Sequence, residues 1–245
     1  MTGFLEINSI GEYILKFLIP PSEGKSKDNT TNAIFEKTDF KYSKKVDEII
    51  EKLINLKPTD FKRTYGTNPE KSTLIHKQNK RIKKSPCSPA ILRYTGTVYS
   101  NINWQSFNNQ QKEFFDKHFL IFSGLFGAVS PMTLIPNYKL KMNVLQLYKF
   151  WNPVLTEGLE KEDLVVDLLP QIHKKAYTQS ENCINIDFSV VKDGKKVAAG
   201  HNGKMVKGQF VQFICRNMIT KFEDMVEFEF DGFKWDGKTF VKIKT

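Results

Sequence analysis

Gln105-Ser-Phe-Asn-Asn-Gln-Gln-Lys-Glu-Phe-Phe-Asp-Lys-His118 runs into Phe119-Leu-Ile-Phe122 and then Ser123-Gly-Leu-Phe-Gly127. The first part predicts a helix over about 105–117, and the apolar run after it predicts a short buried strand. The glycine-flanked run that follows, with Pro131 beyond it, predicts a sharp turn or a close approach of backbone to a ligand. Helix feeding strand feeding turn is the unit from which a mixed α/β core is built.

The same alternation extends in both directions. Upstream, Lys16–Pro20 reads as a buried strand that breaks at Pro20-Pro21 and enters the polar turn Ser22-Glu23-Gly24-Lys25-Ser26. Residues 27–43 show no periodicity and read as a loop. From near Ser43, Val46, Ile49, Ile50, Leu53, Ile54 and Leu56 recur at helical spacing. Pro58 opens a second helix with Phe61 and Tyr65 on its apolar side and Gly66 as C-cap. Asn68-Pro69-Glu70 starts a third, with an N-cap residue before a proline at the first helical position. Residues 44–84 therefore read as an all-helical insertion with its basic residues outward.

Downstream, Asn137–Met142 alternates as a strand, and Tyr148–Trp151 precedes a helix ending near Glu160. Leu164–Leu169, Ile184–Phe188 and Lys196–Ala199 read as strands. Met205–Ile219 reads as a helix with Val206, Phe210, Phe213, Ile214 and Met218 on one face. Asp231-Gly232 and Asp236-Gly237 mark hairpins near the C-terminus. The expected fold is a compact single domain of α/β (mixed α+β) class, with a mixed sheet and a basic helical insertion. Residues 16–245 form that domain and 1–15 an N-terminal extension.

Composition narrows the function. At 245 residues, with 40% hydrophobic and 13% aromatic residues, the chain is globular rather than disordered. No window approaches the roughly 18 apolar residues of a membrane span. Met1–Ile14 carries Glu6 and Glu12 and no basic or continuous apolar region, which predicts no signal peptide. Three scattered cysteines (Cys87, Cys183, Cys215) argue against a disulfide framework and for a reducing, cytoplasmic setting.

Net charge is +10, and between Lys41 and Arg93 fourteen Lys/Arg face five Asp/Glu, a surplus of nine. Charge alone reads equally as a solvated lysine-rich face or as a surface for a polyanion. Clustering favours the polyanion.

The chemical motifs are mostly exclusions. Gly24-Lys25-Ser26 after a strand invites a P-loop, but the first glycine that motif needs is Ile19 here, and Lys27-Asp-Asn-Thr30 makes a poor helix start. A strand-end turn with an exposed Lys25 fits better. His76, His118, His173 and His201 never fall at metal-ligand spacing with the cysteines, so no metal and no cofactor are expected. The Gly-x-Ser-x-Gly elbow is absent at Ser123. Lys204 and Lys207 lie near a helix N-terminus, where cations oppose the macrodipole, which points to an anion nearby.

Taken in order, Phe17-Leu-Ile-Pro-Pro-Ser-Glu-Gly-Lys25, Tyr94-Thr-Gly-Thr-Val-Tyr99, Phe122-Ser-Gly-Leu-Phe-Gly127, and Pro131 with Leu134-Ile-Pro-Asn-Tyr-Lys-Leu-Lys-Met142 resemble the peroxide stress protein YaaA family. Leu147-Tyr-Lys-Phe-Trp151, Val165-Val-Asp-Leu-Leu169 and Lys204-Met-Val-Lys-Gly208 continue the resemblance from about residue 16 onward. It implies a helix-hairpin-helix element beside a basic cleft, DNA binding, and a role in limiting iron-driven damage during peroxide stress. The hairpin would fall at Leu56–Lys80, although the usual Gly-h-Gly turn is absent.

On that resemblance, Lys57, Lys62, Arg63, Lys77, Lys80, Arg81, Lys83 and Lys84 are expected to contact phosphates of double-stranded or structured DNA. Ser22, Lys25, Tyr94, Thr97, Tyr99, Ser123, Tyr138, Lys139, Lys204 and Lys207 are expected to line the cleft, with Tyr94 and Tyr99 stacking on an unpaired base. A monomer with no membrane partner is expected. The alternative is a glycosylase/lyase-like enzyme acting on damaged bases, with Lys25 or Lys204 as nucleophile. Direct iron binding finds little support in the residues.

Overall fold

A computed structural model describes residues 15–243. The strands are β1 (Leu15–Ile19), β2 (Cys87–Pro89), β3 (Phe119–Ser123), β4 (Gly127–Val129), β5 (Leu134–Pro136) and β6 (Leu164–Asp167). They continue with β7 (Cys183–Asn185), β8 (Phe188–Lys192), β9 (Lys195–Ala198), β10 (Lys234–Trp235) and β11 (Phe240–Ile243). The helices are α1 (Ser43–Ile54), α2 (Phe61–Tyr65), α3 (Pro69–Lys80), α4 (Ala90–Arg93) and α5 (Thr97–Ile102). After them come α6 (Asn109–His118), α7 (Leu147–Leu159), α8 (Gln171–Lys174), α9 (Gly200–Asn217) and α10 (Phe222–Met225).

A five-stranded sheet of order β4-β3-β1-β6-β7 forms the centre, parallel except for β4 at one edge. β1 lies in the middle because nearly every residue of it is apolar. Leu15, Phe17, Leu18 and Ile19 are all fully buried, as a parallel strand covered on both faces requires. Phe17 sits opposite Phe119 of β3, and their rings stack with centroids 4.6 Å apart. A second sheet, β10-β11-β8-β9, and the pair β2-β5 complete a single mixed α+β domain. No helix among the described residues is long and apolar enough to cross a membrane.

Local signals account for most of these elements. Asn68 caps α3, its side chain accepting the Lys71 amide at 2.8 Å, with Pro69 at the first position. Asn108 and Gln111 close a reciprocal capping box at α6. That box moves the start of α6 to Asn109 from the expected 105, and Trp104–Ser106 instead makes a 3₁₀ turn.

Other expectations need correction. Asn137–Met142 is not a strand, although Tyr138, Leu140 and Met142 are buried as its alternation predicts. Part of its backbone pairing comes from a side chain: fully buried Asn79 of α3 donates to the Lys139 carbonyl at 2.8 Å and accepts its amide at 3.1 Å. The Ile184–Phe188 run divides between β7 of one sheet and β8 of another. Tyr148–Trp151 lies inside α7 rather than before it. In α1, Ile54 is half exposed instead of joining the apolar side. α9 starts at Gly200, not Met205, and Met218, its left-handed C-cap residue, is exposed. The expected extension at 1–15 lies, except for Leu15, outside the described residues.

Candidate nucleic-acid interface and cleft

The Leu56–Lys80 segment is a 3₁₀ turn at Pro58–Asp60, the five-residue α2 and the twelve-residue α3. Gly66 joins the two helices in the left-handed region, at φ 63°, where a side chain would be strained. Inside the pair, the Phe61 ring stacks on His76 at 3.9 Å, and the Tyr65 hydroxyl meets His76 Nδ1 at 3.0 Å. That packing turns the cations outward: Lys57, Lys62, Arg63, Lys77, Lys80, Arg81, Lys83 and Lys84 are all exposed.

They are not equivalent. Arg63 pairs with Asp60 at 3.1 Å and Lys83 with Asp47 at 3.0 Å. Among the described residues the other six have no carboxylate within 4 Å. Arg93, counted in the basic stretch, contributes nothing to the surface because it is fully buried. Its guanidinium donates to the carbonyls of Ser26, Asp28 and Ile135, to Asn29 Oδ1 and to Ser88 Oγ at 2.7–3.3 Å. This pins the 26–29 loop, and hence the neighbouring Lys25, against β2 and β5.

The cleft opens beyond the carboxyl ends of the parallel strands. From β1 the sheet order continues to β3 on one side, and from β6 to β7 on the other. The loops after β1 and β6 therefore diverge and leave a crevice, the usual ligand position in open α/β sheets. Two adjoining cavities occupy it, of about 450 and 670 Å³, sharing Pro21, Ser22, Glu23 and His173.

The smaller cavity is lined by Lys25, Tyr138 and Lys139 among others. Lys25 is half-buried, its Nζ donating to the Ser22 carbonyl at 2.9 Å and lying 4.3 Å from the Tyr138 ring centroid and 5.1 Å from that of Tyr94. Burial lowers its pKa to about 7, against the opposing pull of the nearby Glu23 charge. Behind it runs a buried hydroxyl chain, with Ser123 Oγ to Tyr138 Oη and Tyr138 Oη to Tyr94 Oη each at 2.7 Å. Burial pushes the Tyr138 phenol up to about 12 and raises Tyr94 and Tyr99 well above their ordinary value, so all three stay protonated. Tyr94 and Tyr99 are only 2% and 6% exposed, which withdraws both rings from the base-stacking role expected of them.

The larger cavity takes Thr97, Tyr99, Lys204 and Lys207. Because α9 begins at Gly200, both lysines project from its second turn, beyond the reach of the macrodipole at the free N–H groups. Gly208 sets how close α9 can come. A Cβ there would stand 2.4 Å from the Val98 carbonyl oxygen of α5, so only glycine lets these helices meet and bring the lysines to the crevice.

The basic helices and the cleft are connected. Besides the Asn79 pair, Gln78 donates to the Asn137 carbonyl at 2.8 Å, so the end of α3 holds the segment that carries Tyr138 and Lys139.

Sequence reasoning missed two cleft groups, His173 and Glu23, and a buried carboxylate, Asp167. His173 faces both cavities, and its Nδ1 is buried with no hydrogen-bond partner. Burial, and then the charge of Lys207, lower its pKa to about 4, so the imidazole is neutral. Glu23 pairs with Lys141 at 2.7 Å, which holds its carboxyl below the ordinary range. Asp167 is fully buried, accepting from Leu169 N, Tyr177 Oη and Gln179 Nε2. Only Asp167 had a local signal, a carboxylate within the apolar run 164–169.

Comparison with known proteins finds bacterial relatives along most of the chain. A UPF0246 protein of Rickettsia bellii is 26% identical over 217 residues, covering 83% of this chain and 88% of that protein. One from Clostridioides difficile is 28% identical over 201 residues, covering 77% and 81%. One from Streptococcus gordonii is 25% identical over 231 residues, covering 90% and 93%. A family model described as peroxide stress protein YaaA matches residues 15–239, from the central strand β1 to the last hairpin. With nearly the whole fold and every part of the cleft inside that match, the chain belongs to the peroxide stress protein YaaA family.

Proposed function

We propose that the protein binds double-stranded or structured DNA without sequence preference, as a cytoplasmic monomer, and so limits iron-driven damage to DNA during peroxide stress. The observation that carries this reading is a set of six exposed cations along the helical segment 57–84, Lys57, Lys62, Lys77, Lys80, Arg81 and Lys84, with no carboxylate partner among the described residues. Such charges release counterions from the phosphate backbone, the main source of sequence-independent affinity. Iron enters indirectly, through shielding of the DNA.

A nicking assay tests the protective part. Supercoiled plasmid treated with ferrous iron and peroxide should survive longer with the protein present, and the protection should fade as added salt releases the protein. Protection that persists at salt concentrations where binding is lost would assign the effect to the peroxide or the iron instead.

Lys25 favours a second reading, a lyase-like enzyme acting on damaged DNA. An amine with a pKa of about 7, opening into a cavity, can attack an aldehyde carbon such as C1′ of an abasic site. The product is an imine plus one water, which borohydride reduces to a stable secondary amine. The expected result is a covalent adduct on abasic DNA that Lys25→Met removes. No adduct, or an adduct unchanged in that variant, rejects the enzyme reading.

A further inference from the structure

The 670 Å³ cavity is the size of a small-molecule site, and far too small for a duplex. Its charge is unbalanced in one direction. Lys204 and Lys207 stand three residues apart on α9, neighbours on one helix face. Neither has a carboxylate within 4 Å among the described residues. Two carboxylates line the cavity: Glu23 pairs with Lys141 at 2.7 Å, and Asp187 lies 3.9 Å from Lys174 while its charge also acts on Lys207.

The hydrogen-bonding groups are also incompletely used. Lys207 donates one N–H to the Leu168 carbonyl and has two more to offer. His173 lines the same cavity, and its Nδ1 is buried with no hydrogen-bond partner. The Ser22 and Thr97 hydroxyls complete the polar lining, while Val98, Leu169, Phe188 and Ala199 give the cavity an apolar wall.

We propose that this cavity binds a free phosphomonoester of mononucleotide size, its phosphate held by Lys204 and Lys207 and its apolar body against the Val98–Phe188 wall. Two ammonium groups, neither with a carboxylate within 4 Å among the described residues, match a dianionic phosphate in charge. The apolar wall selects a ligand with a ring system over phosphate alone. The site is separate from the exposed cations of α2 and α3, so it stands whether or not the protein binds DNA.

Calorimetric titration of the full chain with adenosine 5′-monophosphate, adenosine and inorganic phosphate, at fixed salt, is the test. Saturable one-to-one binding of the monophosphate is expected, with adenosine and inorganic phosphate each at least about tenfold weaker. Lys204→Met and Lys207→Met should each weaken the monophosphate about tenfold. Lys204 is exposed, so its variant should keep the native melting temperature and serve as the check should Lys207→Met fold poorly. No saturable binding up to about millimolar concentrations overturns the proposal. So does affinity unchanged in Lys204→Met, or inorganic phosphate binding as tightly as the monophosphate.

Discussion

Replacing Lys77, Lys80, Arg81 and Lys84 together with glutamine is expected to lower duplex affinity about a thousandfold near 0.1 M salt, and to flatten the log K against log salt slope by about 3.6. The four fall at helical spacing at the end of α3 and the 3₁₀ turn after it, while Ile75, His76, Asn79 and Ile82 point inward. They therefore form one stripe that can follow a phosphate backbone. Each neutralised phosphate contributes about 0.9 to the slope, so losing four is a large and readable change. Glutamine keeps helix propensity, and exposed positions away from packing usually tolerate substitution within about 0.5 kcal/mol. Fluorescence anisotropy of a labelled duplex at several salt concentrations reads both numbers. Lys83→Gln is the internal control. Its ammonium already faces Asp47 at 3.0 Å, so its loss should change the slope by less than one full contact.

The largest stability effect is expected at Arg93. Arg93→Met keeps the length of the stem but removes every donor from a site that serves the carbonyls of Ser26, Asp28 and Ile135. Those acceptors are then left buried without their charged partner, a loss of at least about 3 kcal/mol. For a domain of this size the melting temperature should fall by roughly 6–12 °C or more. The 26–29 loop also loses its anchor, so the position of Lys25 over Tyr138 should be lost with it. Arg93→Lys should recover only part of the stability, since one ammonium cannot reproduce the planar fork that reaches separate acceptors. Thermal melting followed by circular dichroism checks all three proteins.

What could be read from the sequence follows from where the physical cause lies. Gly66, Asn68 and Pro69 act on their immediate neighbours, and the structure uses them as caps and helix starts where the sequence places them. The strand expected at 119–122 and its glycine turn were equally legible, because an apolar run between a helix and a glycine-flanked turn has few other uses. Asn137–Met142 shows the limit. Its alternation is real and buries the expected side chains, but its hydrogen-bonding partner includes a single asparagine sixty residues earlier, which no local pattern reveals.

The candidate site divides in the same way. Exposed lysines on a helical stretch are visible as composition, and they lie where expected. Arg93 looks no different in sequence from the exposed cations before it, and only the fold shows that it is a buried clamp. The Lys25 environment is assembled from Ser22, Tyr94 and Tyr138, and the burial of the His173 nitrogen without a partner is likewise a product of the fold. Tyr94 and Tyr99 carry the chemistry of base stacking, but the fold spends their rings on the core.

The most direct test of the central claim is the salt dependence of duplex DNA binding by the unaltered protein. If the six cations without a carboxylate partner among the described residues each contact a phosphate, log K should fall against log salt with a slope of about −5. A slope near zero, or binding that the four-residue variant retains in full, would contradict the assignment of this helical face to DNA.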